Sequence, residues 1–446
     1  MVRKMAQETF EKFFEKLEGE NKENNFKQTE IGLIPEDWEV VRLGEVFKEV
    51  NKKERKIKIE ENRIYRLVHT KLYAQGVELK EEKKGKQIKA DYMFIVKQGD
   101  FIFSKINAKK GAFGIISSNL DGAVVTSEHP ILITNERKAF NYFVFYYLSQ
   151  PKVWDEFEKH SIGFAGKSRI KVPGFLSVKI PLPPLEEQRK IVRVLDKIQQ
   201  AIELQDRIIE QAKRLKKSLM QKLFTEGLYG EEQKETEIGL IPKSWKVVRL
   251  GDDEILKETQ YGLSVRGKKE GKYPILRMNN LVEGLISIDD LQFVDLDKKT
   301  FRKFKLEKGD ILFNRTNSFE LVGKTSIFCL NGDFVFASYL IRLKLNSEVI
   351  NPFFLNFYFN WDITKVRLRG LASRGVSQAN ISATKLKSFL IPLPPLEEQK
   401  QIAHILSTVD KKIEVEQKRK QVLKALFKTM LHKLMSGEIR LKEVEI

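Results

Sequence analysis

An internal repeat constrains this chain more than any other feature. Residues 29–44 read TEIGLIPEDWEVVRLG, and residues 236–251 read TEIGLIPKSWKVVRLG, 207 positions later. The string IPLPPLEEQ fills 180–188 and returns at 391–399, an offset of 211. Between these anchors, Gly99-Asp100-Phe101-Ile102-Phe103 is matched by Gly309-Asp310-Ile311-Leu312-Phe313 at an offset of 210. Three ordered matches at nearly one offset mean that one module is used twice. Each copy runs from an opening motif through a variable middle and a Gly-Asp strand to IPLPPLEEQ and a long helical stretch. Phe13-Phe14-Glu15-Lys16-Leu17 resembles Leu219-Met220-Gln221-Lys222-Leu223 and stands just ahead of the first opening motif. The repeat therefore reads as cyclic, with a helix end before each copy.

Pro183-Pro184 followed by Glu186-Glu187 suits a helix N-terminus. Apolar residues then recur in steps of four and three: Ile191, Leu195, Ile198, Ile202, Ile209, Ala212, Leu219 and Leu223, interrupted at Gln205 and Lys216. The second copy gives Ile402, Leu406, Val409, Ile413, Leu423, Phe427, Met430 and Leu434, interrupted at Glu416 and Lys420. Such a seam needs a partner helix, and the simplest burial is one long helix against the other. The short 227–235 linker brings the start of the second module next to the end of the first helix, which favours antiparallel pairing. The alternative packs each helix on its own globular part; a run of about 60 Å is long for that.

The globular parts are strand-rich with helical inserts. Trp38–Leu43, Trp245–Leu250, Phe101–Phe103, Ile311–Phe313, Ala123–Thr126 and Phe334–Ser338 read as strands. Asn141 and Asn351 read as equivalent helix N-caps. The expected fold is α+β: two similar globular domains joined by two long helices in an antiparallel coiled coil, with pseudo-two-fold symmetry within one chain. The expected segments are an N-terminal helix and linker (1–25), a first domain (26–180), a central helical spacer (181–232), a second domain (233–391) and a C-terminal helical spacer (392–446).

The 446 residues carry a formal charge of +19, which favours a polyanionic partner. Cys329 is the sole cysteine, and His69, His129, His160, His404 and His432 show no metal-ligand spacing. No apolar run approaches the roughly 18 residues of a membrane span. The first 21 residues lack the apolar centre of a signal peptide. The expectation is a cytoplasmic protein without membrane contact and without a bound metal or cofactor.

The copies diverge most in their polar loops. Lys105, Asn107, Lys109 and Lys110 follow the Gly-Asp strand of the first copy, and Lys167, Arg169 and Lys171 precede its long helix. The second copy has Arg277, Asn279 and Asn280, then Arg315 and Asn317, then Arg374, Gln378 and Asn380. These side-chain types bond base edges and phosphates, so together they are the candidate DNA-binding residues. Different loops imply that the two domains meet different sequences.

Catalytic motifs find little support. Asn351-Pro352-Phe353-Phe354 has one proline where the amino-methyltransferase tetrapeptide has two, and Asn141-Tyr142-Phe143-Val144 in the first copy has none. Glu78-Leu79-Lys80 fits half of a nuclease site but has no counterpart in the second copy. Gly166-Lys167-Ser168 ends like a phosphate loop, but Ser161 stands where the first glycine is needed.

The whole order resembles the specificity subunits of type I restriction-modification systems. The resemblance rests on IGLIPEDWEVVRLG and IGLIPKSWKVVRLG, KQGDFIF and EKGDILF, GVSQANIS in the second copy, and both IPLPPLEEQ motifs with their helices. The first copy departs at GKSRIKVP, where the second has GVSQANIS. The resemblance implies two target-recognition domains held apart by the coiled coil, each reading half of a split, asymmetric sequence in double-stranded DNA. It assigns methylation with S-adenosylmethionine to partner modification subunits docked on the helices. ATP- and magnesium-dependent translocation and cleavage fall to a restriction subunit, leaving this chain without a catalytic residue. The competing readings are a scaffold with a basic surface for an acidic protein and a self-sufficient nuclease using Glu78 and Lys80.

Overall fold

In each copy the opening motif forms its strand against the strand that closes the copy. Glu39–Arg42 pairs antiparallel with Lys179–Leu182, and Lys246–Arg249 pairs the same way with Leu390–Leu393. The two most similar stretches of the repeat, far apart in sequence, are therefore direct neighbours. The computed structural model describes residues 25–163, 168–374 and 378–442. The N-terminal segment, with its Phe13–Leu17 likeness, lies outside the described residues.

The chain divides into two units, residues 1–204 with 420–446 and residues 205–419. Each holds one globular part, the first half of the helix that follows it and the second half of the other long helix. The segments 181–232 and 392–446 are thus divided between the units.

Unit one has a four-stranded sheet in the order Phe113–Ile115, Phe101–Phe103, Ile131–Thr134, Phe47–Glu49. Unit two repeats that order as Thr325–Ile327, Ile311–Asn314, Leu340–Leu345, Leu256–Tyr261. Each unit also has a second sheet with one parallel pair: Ile64–Thr70 with Val124–Val125, and Tyr273–Leu276 with Val335–Phe336. After each Gly-Asp turn the strand is fully buried. The turn's aspartate accepts from a backbone N–H three residues earlier, Asp100 from Lys97 at 2.7 Å and Asp310 from Glu307 at 2.9 Å. Burial pushes both carboxyls above the usual carboxylate range.

The IPLPPLEEQ motif ends its strand at the prolines and starts helices Leu185–Thr225 and Leu396–Ser436. Its glutamine is completely buried in both copies. Gln188 accepts from the backbone N–H of Phe140 and Gln399 from that of Asn351, each at 2.8 Å. This matched bond corrects the register between the copies. Asn351 is indeed an N-cap, its side chain accepting from Phe353 and Phe354 N–H. Its counterpart is Phe140; Asn141 is the first helical residue, in the place that proline fills in the second copy, and its side chain makes no cap. The segment Asn351–Phe354 is a helix start, with Phe354 packed edge-on against Phe224 and Trp245.

The buried helix positions follow the seam read from the sequence. In unit one Ile191, Leu195, Ile198 and Ile202 share a core with Met430 and Leu434. In unit two Met220 and Leu223 share one with Ile402 and Leu406. In both, the start of one long helix lies beside the end of the other, so the pairing is antiparallel. The interruption at Gln205 is buried against the one at Glu416: the Gln205 amide donates to the Glu416 carboxylate at 2.7 Å and to its carbonyl at 3.1 Å.

Each long helix ends on a glycine in the left-handed region, Gly227 (φ +70°) and Gly437 (φ +74°). A Cβ on Gly227 would meet Pro242 at 2.9 Å, and one on Gly437 would meet Pro35 at 2.3 Å. Glycine is required there by both backbone conformation and close approach. Beyond Gly437, Arg440 donates to Glu187 (2.8 Å twice) and to Asp37 (2.9 Å twice). Glu187 also accepts from the Trp38 indole at 3.2 Å. Burial pushes the Asp37 carboxyl up, but hydrogen bonds from Arg440 and Lys442 outweigh it and hold the group at about 2.

Removing one partner of a buried ion pair costs about 3–5 kcal/mol, because the other charge stays desolvated. Arg440→Ala is expected to destabilise the full chain by about that much in urea unfolding. Combining Arg440→Met with Glu187→Gln is expected to recover most of the loss, since an amide oxygen still accepts from Trp38.

Candidate nucleic-acid interface

In both units the buried Gly-Asp strand emerges at a basic residue, Lys105 in unit one and Arg315 in unit two. Their backbones are held identically. Lys105 N–H donates to Glu128 and its carbonyl accepts from Ile170 (3.1 and 2.8 Å); Arg315 N–H donates to Tyr339 and its carbonyl accepts from Ile381 (3.0 and 2.9 Å). Their side chains also turn to the same place. Lys105 Nζ donates to the Ser127 carbonyl at 2.7 Å, and an Arg315 terminal nitrogen reaches the Ser338 carbonyl at 3.5 Å. Ser127 and Ser338 are 211 positions apart, the offset of the repeat.

The surroundings of this shared cation differ. In unit one Arg169 pairs with Glu128. Lys109 donates to Ser168 (2.6 Å) and to Glu158 (3.0 Å). His129 lies next to this group, and its pKa falls to about 4. Burial is the largest cause; the charges of His69, Lys105 and Lys80 lower it further, against the pull of Glu128. In unit two the Arg315 guanidinium lies over the Tyr261 ring at 4.8 Å and reaches Asn380 Oδ1 at 3.5 Å. Its Nε is buried without a hydrogen-bond partner. Asn380 in turn donates to Thr316 Oγ1 at 2.8 Å, and Tyr261 Oη accepts from Ala383 N–H. The second sheet borders both sites, with one acid holding two donors spaced two residues apart. Glu78 takes His69 (3.5 Å) and Lys71 (3.0 Å); Asp290 takes Arg277 and Asn279, each at 2.8 Å.

Residues 35–214 and 242–425 match the type I restriction modification DNA specificity domain. The chain belongs to that family. A putative type I restriction enzyme MjaX specificity subunit of Methanocaldococcus jannaschii is 32% identical over 439 residues, covering 94% of this chain and 98% of the relative. The EcoKI specificity subunit of Escherichia coli K12 is 26% identical over 271 residues, covering 60% of this chain and 58% of the relative. Among solved structures, the type I restriction-modification S subunit from M. genitalium superposes with a TM-score of 0.54 at 17% identity, covering 93% of this chain and 97% of that one. A structure described by the assembly and conformational transition of the type I system gives 0.55 at 18% identity, covering 91% and 99%.

In this specificity subunit Lys105, Lys109 and Arg169 come together, and so do Arg315 and Asn380. Asn107 is half-buried in the turn between Lys105 and Lys109, and Lys110 and Lys171 are exposed beside that group. Asn317 is half-buried and accepts from Ser318 N–H; Gln378 is exposed one residue before the Ala379–Asn380 strand. Asn280 is a correction: it is 1% exposed, and its amide is spent on Arg277 N–H and the Ser287 and Asp290 carbonyls. It shapes the loop and presents nothing outward. Lys167 and the Arg374 side chain lie outside the described residues. Glu78 is about half exposed and forms an ion pair with Lys71, and Asp290 holds the corresponding place beside Arg277 and Asn279 in unit two. His129, Glu128, Tyr261, Tyr339 and Asp290 were not singled out from the sequence. Aligning Val124–Glu128 with Val335–Tyr339 at the repeat offset picks out Glu128 and Tyr339.

Among the described residues no cluster of three His, Cys, Asp or Glu side chains is placed to hold a metal ion, and no helix is long and apolar enough to cross a membrane.

His129 carries a pH prediction. Its folded pKa of about 4 lies below the usual 6.5, so the unfolded chain binds the extra proton first as pH falls. The stability tied to keeping it neutral is fully present above pH 6.5 and is lost as pH drops toward 4. Urea unfolding at pH 7 and pH 4.5 is expected to show the unaltered chain losing more stability than His129→Gln, by on the order of 3 kcal/mol at most.

Proposed function

We propose that this specificity subunit reads a bipartite, asymmetric double-stranded DNA target, one half with each unit. The observation that carries the reading is the site built twice on one frame. Lys105 and Arg315 are held by matching backbone bonds, while Arg169 and Glu128 in unit one stand where unit two has Asn380 and Tyr339. One frame with two sets of side chains suits two DNA segments of the same geometry and different sequence. The formal charge of +19 supplies the attraction to a polyanion.

The paired helices, 41 residues each, set the separation of the two half-sites and offer the docking surface for modification subunits. In unit one Leu204 and Val422, and in unit two Leu215 and Val415, are about half or more exposed, apolar side chains that the helix pairing leaves uncovered. Methyl transfer from S-adenosylmethionine belongs to those modification subunits, and ATP- and magnesium-dependent translocation and cleavage to a restriction subunit. This chain contributes recognition and no catalytic group, and acts in the cytoplasm.

Methylation mapping of DNA exposed to the complex with its modification subunits tests this. The expected target has two unlike halves around an unread spacer. A single-part or palindromic target overturns the reading. Exchanging residues 26–180 for the matching domain of another specificity subunit is expected to change one half of the target and leave the other intact.

A further inference from the structure

The two units serve as internal controls for one another. A side chain that differs between them can read what differs between two half-sites; one whose charge and anchoring are the same must meet something both half-sites share. Lys105 and Arg315 are of the second kind. Each is the residue at which the buried strand surfaces, each is fastened by the same two backbone bonds, and each points a cationic nitrogen at the carbonyl of the matching serine. We propose that Lys105 and Arg315 are equivalent phosphate clamps that register each unit on the DNA backbone, while the neighbouring positions that differ carry base discrimination. The proposal rests on the DNA-reading function of the preceding subsection and assigns a role within it.

The chemistry of the two side chains supports phosphate over base. Guanine is read by an arginine that presents its fork of two N–H groups in the base plane. The Arg315 fork is not free for this: its terminal nitrogens face the Ser338 carbonyl and Asn380 Oδ1, and its flat face is covered by Tyr261. What remains is a positive charge and the terminal N–H groups outside those two contacts, enough to meet an anion but not to present a planar two-point fork. Lys105 is a point charge with three donors, of which one is committed to Ser127. Lysine and arginine serve interchangeably at a phosphate when only charge and one donor are asked for, but not at a bidentate base contact. The two units use one of each, lysine at 105 and arginine at 315. Beside it, Arg169 with Glu128 in one unit and Asn380 with Tyr339 in the other present different donors and acceptors.

The test uses the complex with modification subunits and two duplexes: one bearing the mapped target, one with a single base pair changed in each half. Affinity is measured across a salt series for Lys105→Met, Arg315→Met and the double variant; methionine keeps the packing against Ser127 or Tyr261. Each single variant is expected to weaken binding to both duplexes by the same factor and to reduce the salt slope by about one, the double variant by about two. Arg315→Lys is expected to restore the slope lost in Arg315→Met. Relaxed discrimination at one base pair with an unchanged slope would make the residue a base reader and overturn the proposal. So would unchanged affinity and slope in the double variant. If the unaltered complex binds no duplex, the DNA-reading function itself falls, and this assignment with it.

Discussion

A buried carboxylate at the start of each long helix holds the architecture together. Glu187 and Glu398 are 2% and 5% exposed. Each accepts from the indole N–H of the opening motif's tryptophan, Trp38 at 3.2 Å and Trp245 at 3.0 Å. A buried indole needs an acceptor and a buried carboxylate needs donors, so each residue makes the other tolerable. The next residue, Gln188 or Gln399, ties the helix start to a second helix of the same domain. Through these two side chains the long helix is fixed to the domain that precedes it. The same tryptophan then seats the far end of the other long helix, since Gly437 packs over Pro35 and Trp38, and Gly227 over Pro242 and Trp245. The units complete the carboxylate's donor set in part alike. Both add a backbone N–H, that of Leu441 to Glu187 at 3.2 Å and that of Leu228 to Glu398 at 2.9 Å, and unit one adds Arg440, which also recruits Asp37.

Between these anchors the helices bury a polar pair, Gln205 with Glu416. Gln205 and Glu416 are 211 positions apart, so each is the repeat counterpart of the other, and they bond directly. Antiparallel pairing of two copies brings a residue opposite its own counterpart where they cross. A glutamate in both copies would bury two like charges there. Glutamine in one supplies a donor for the carboxylate of the other, at the cost of exact symmetry. Arg419 adds a second donor to Glu416 at 3.1 Å. A buried polar pair of this kind disfavours other registers, which would leave the carboxylate without its donors.

The candidate interface follows the same rule of common frame and divergent detail. The Gly-Asp turn, the strand behind it and the serine carbonyl in front recur, because they support the cation and do not read sequence. An acid clamp recurs too, but as Glu78 in one unit and Asp290 in the other, with different donors on each. Side chains can drift at such positions while geometry persists, as long as each buried or half-buried donor keeps an acceptor.

Much of this was legible in the amino-acid order. The repeat, the long helices, their apolar seam and its interruptions are periodic features, and period survives without knowledge of contacts. The cationic loops could be found because charge and residue type are visible one position at a time. Other features were decided only by the tertiary structure. Nothing local pairs Trp38 with Glu187 or Arg440 with Asp37, which lie 149 and 403 residues apart. The misplaced N-cap at Asn141 came from aligning like letters; the Gln188 bond shifted the register by one. Asn280 looked like a DNA-facing amide because its neighbours are polar, yet its loop folds inward and uses every bond it offers. The sequence by itself determined that one module is used twice on paired helices. The tertiary structure decided which polar side chains are left over to meet a partner, because that depends on which donors and acceptors have already satisfied each other.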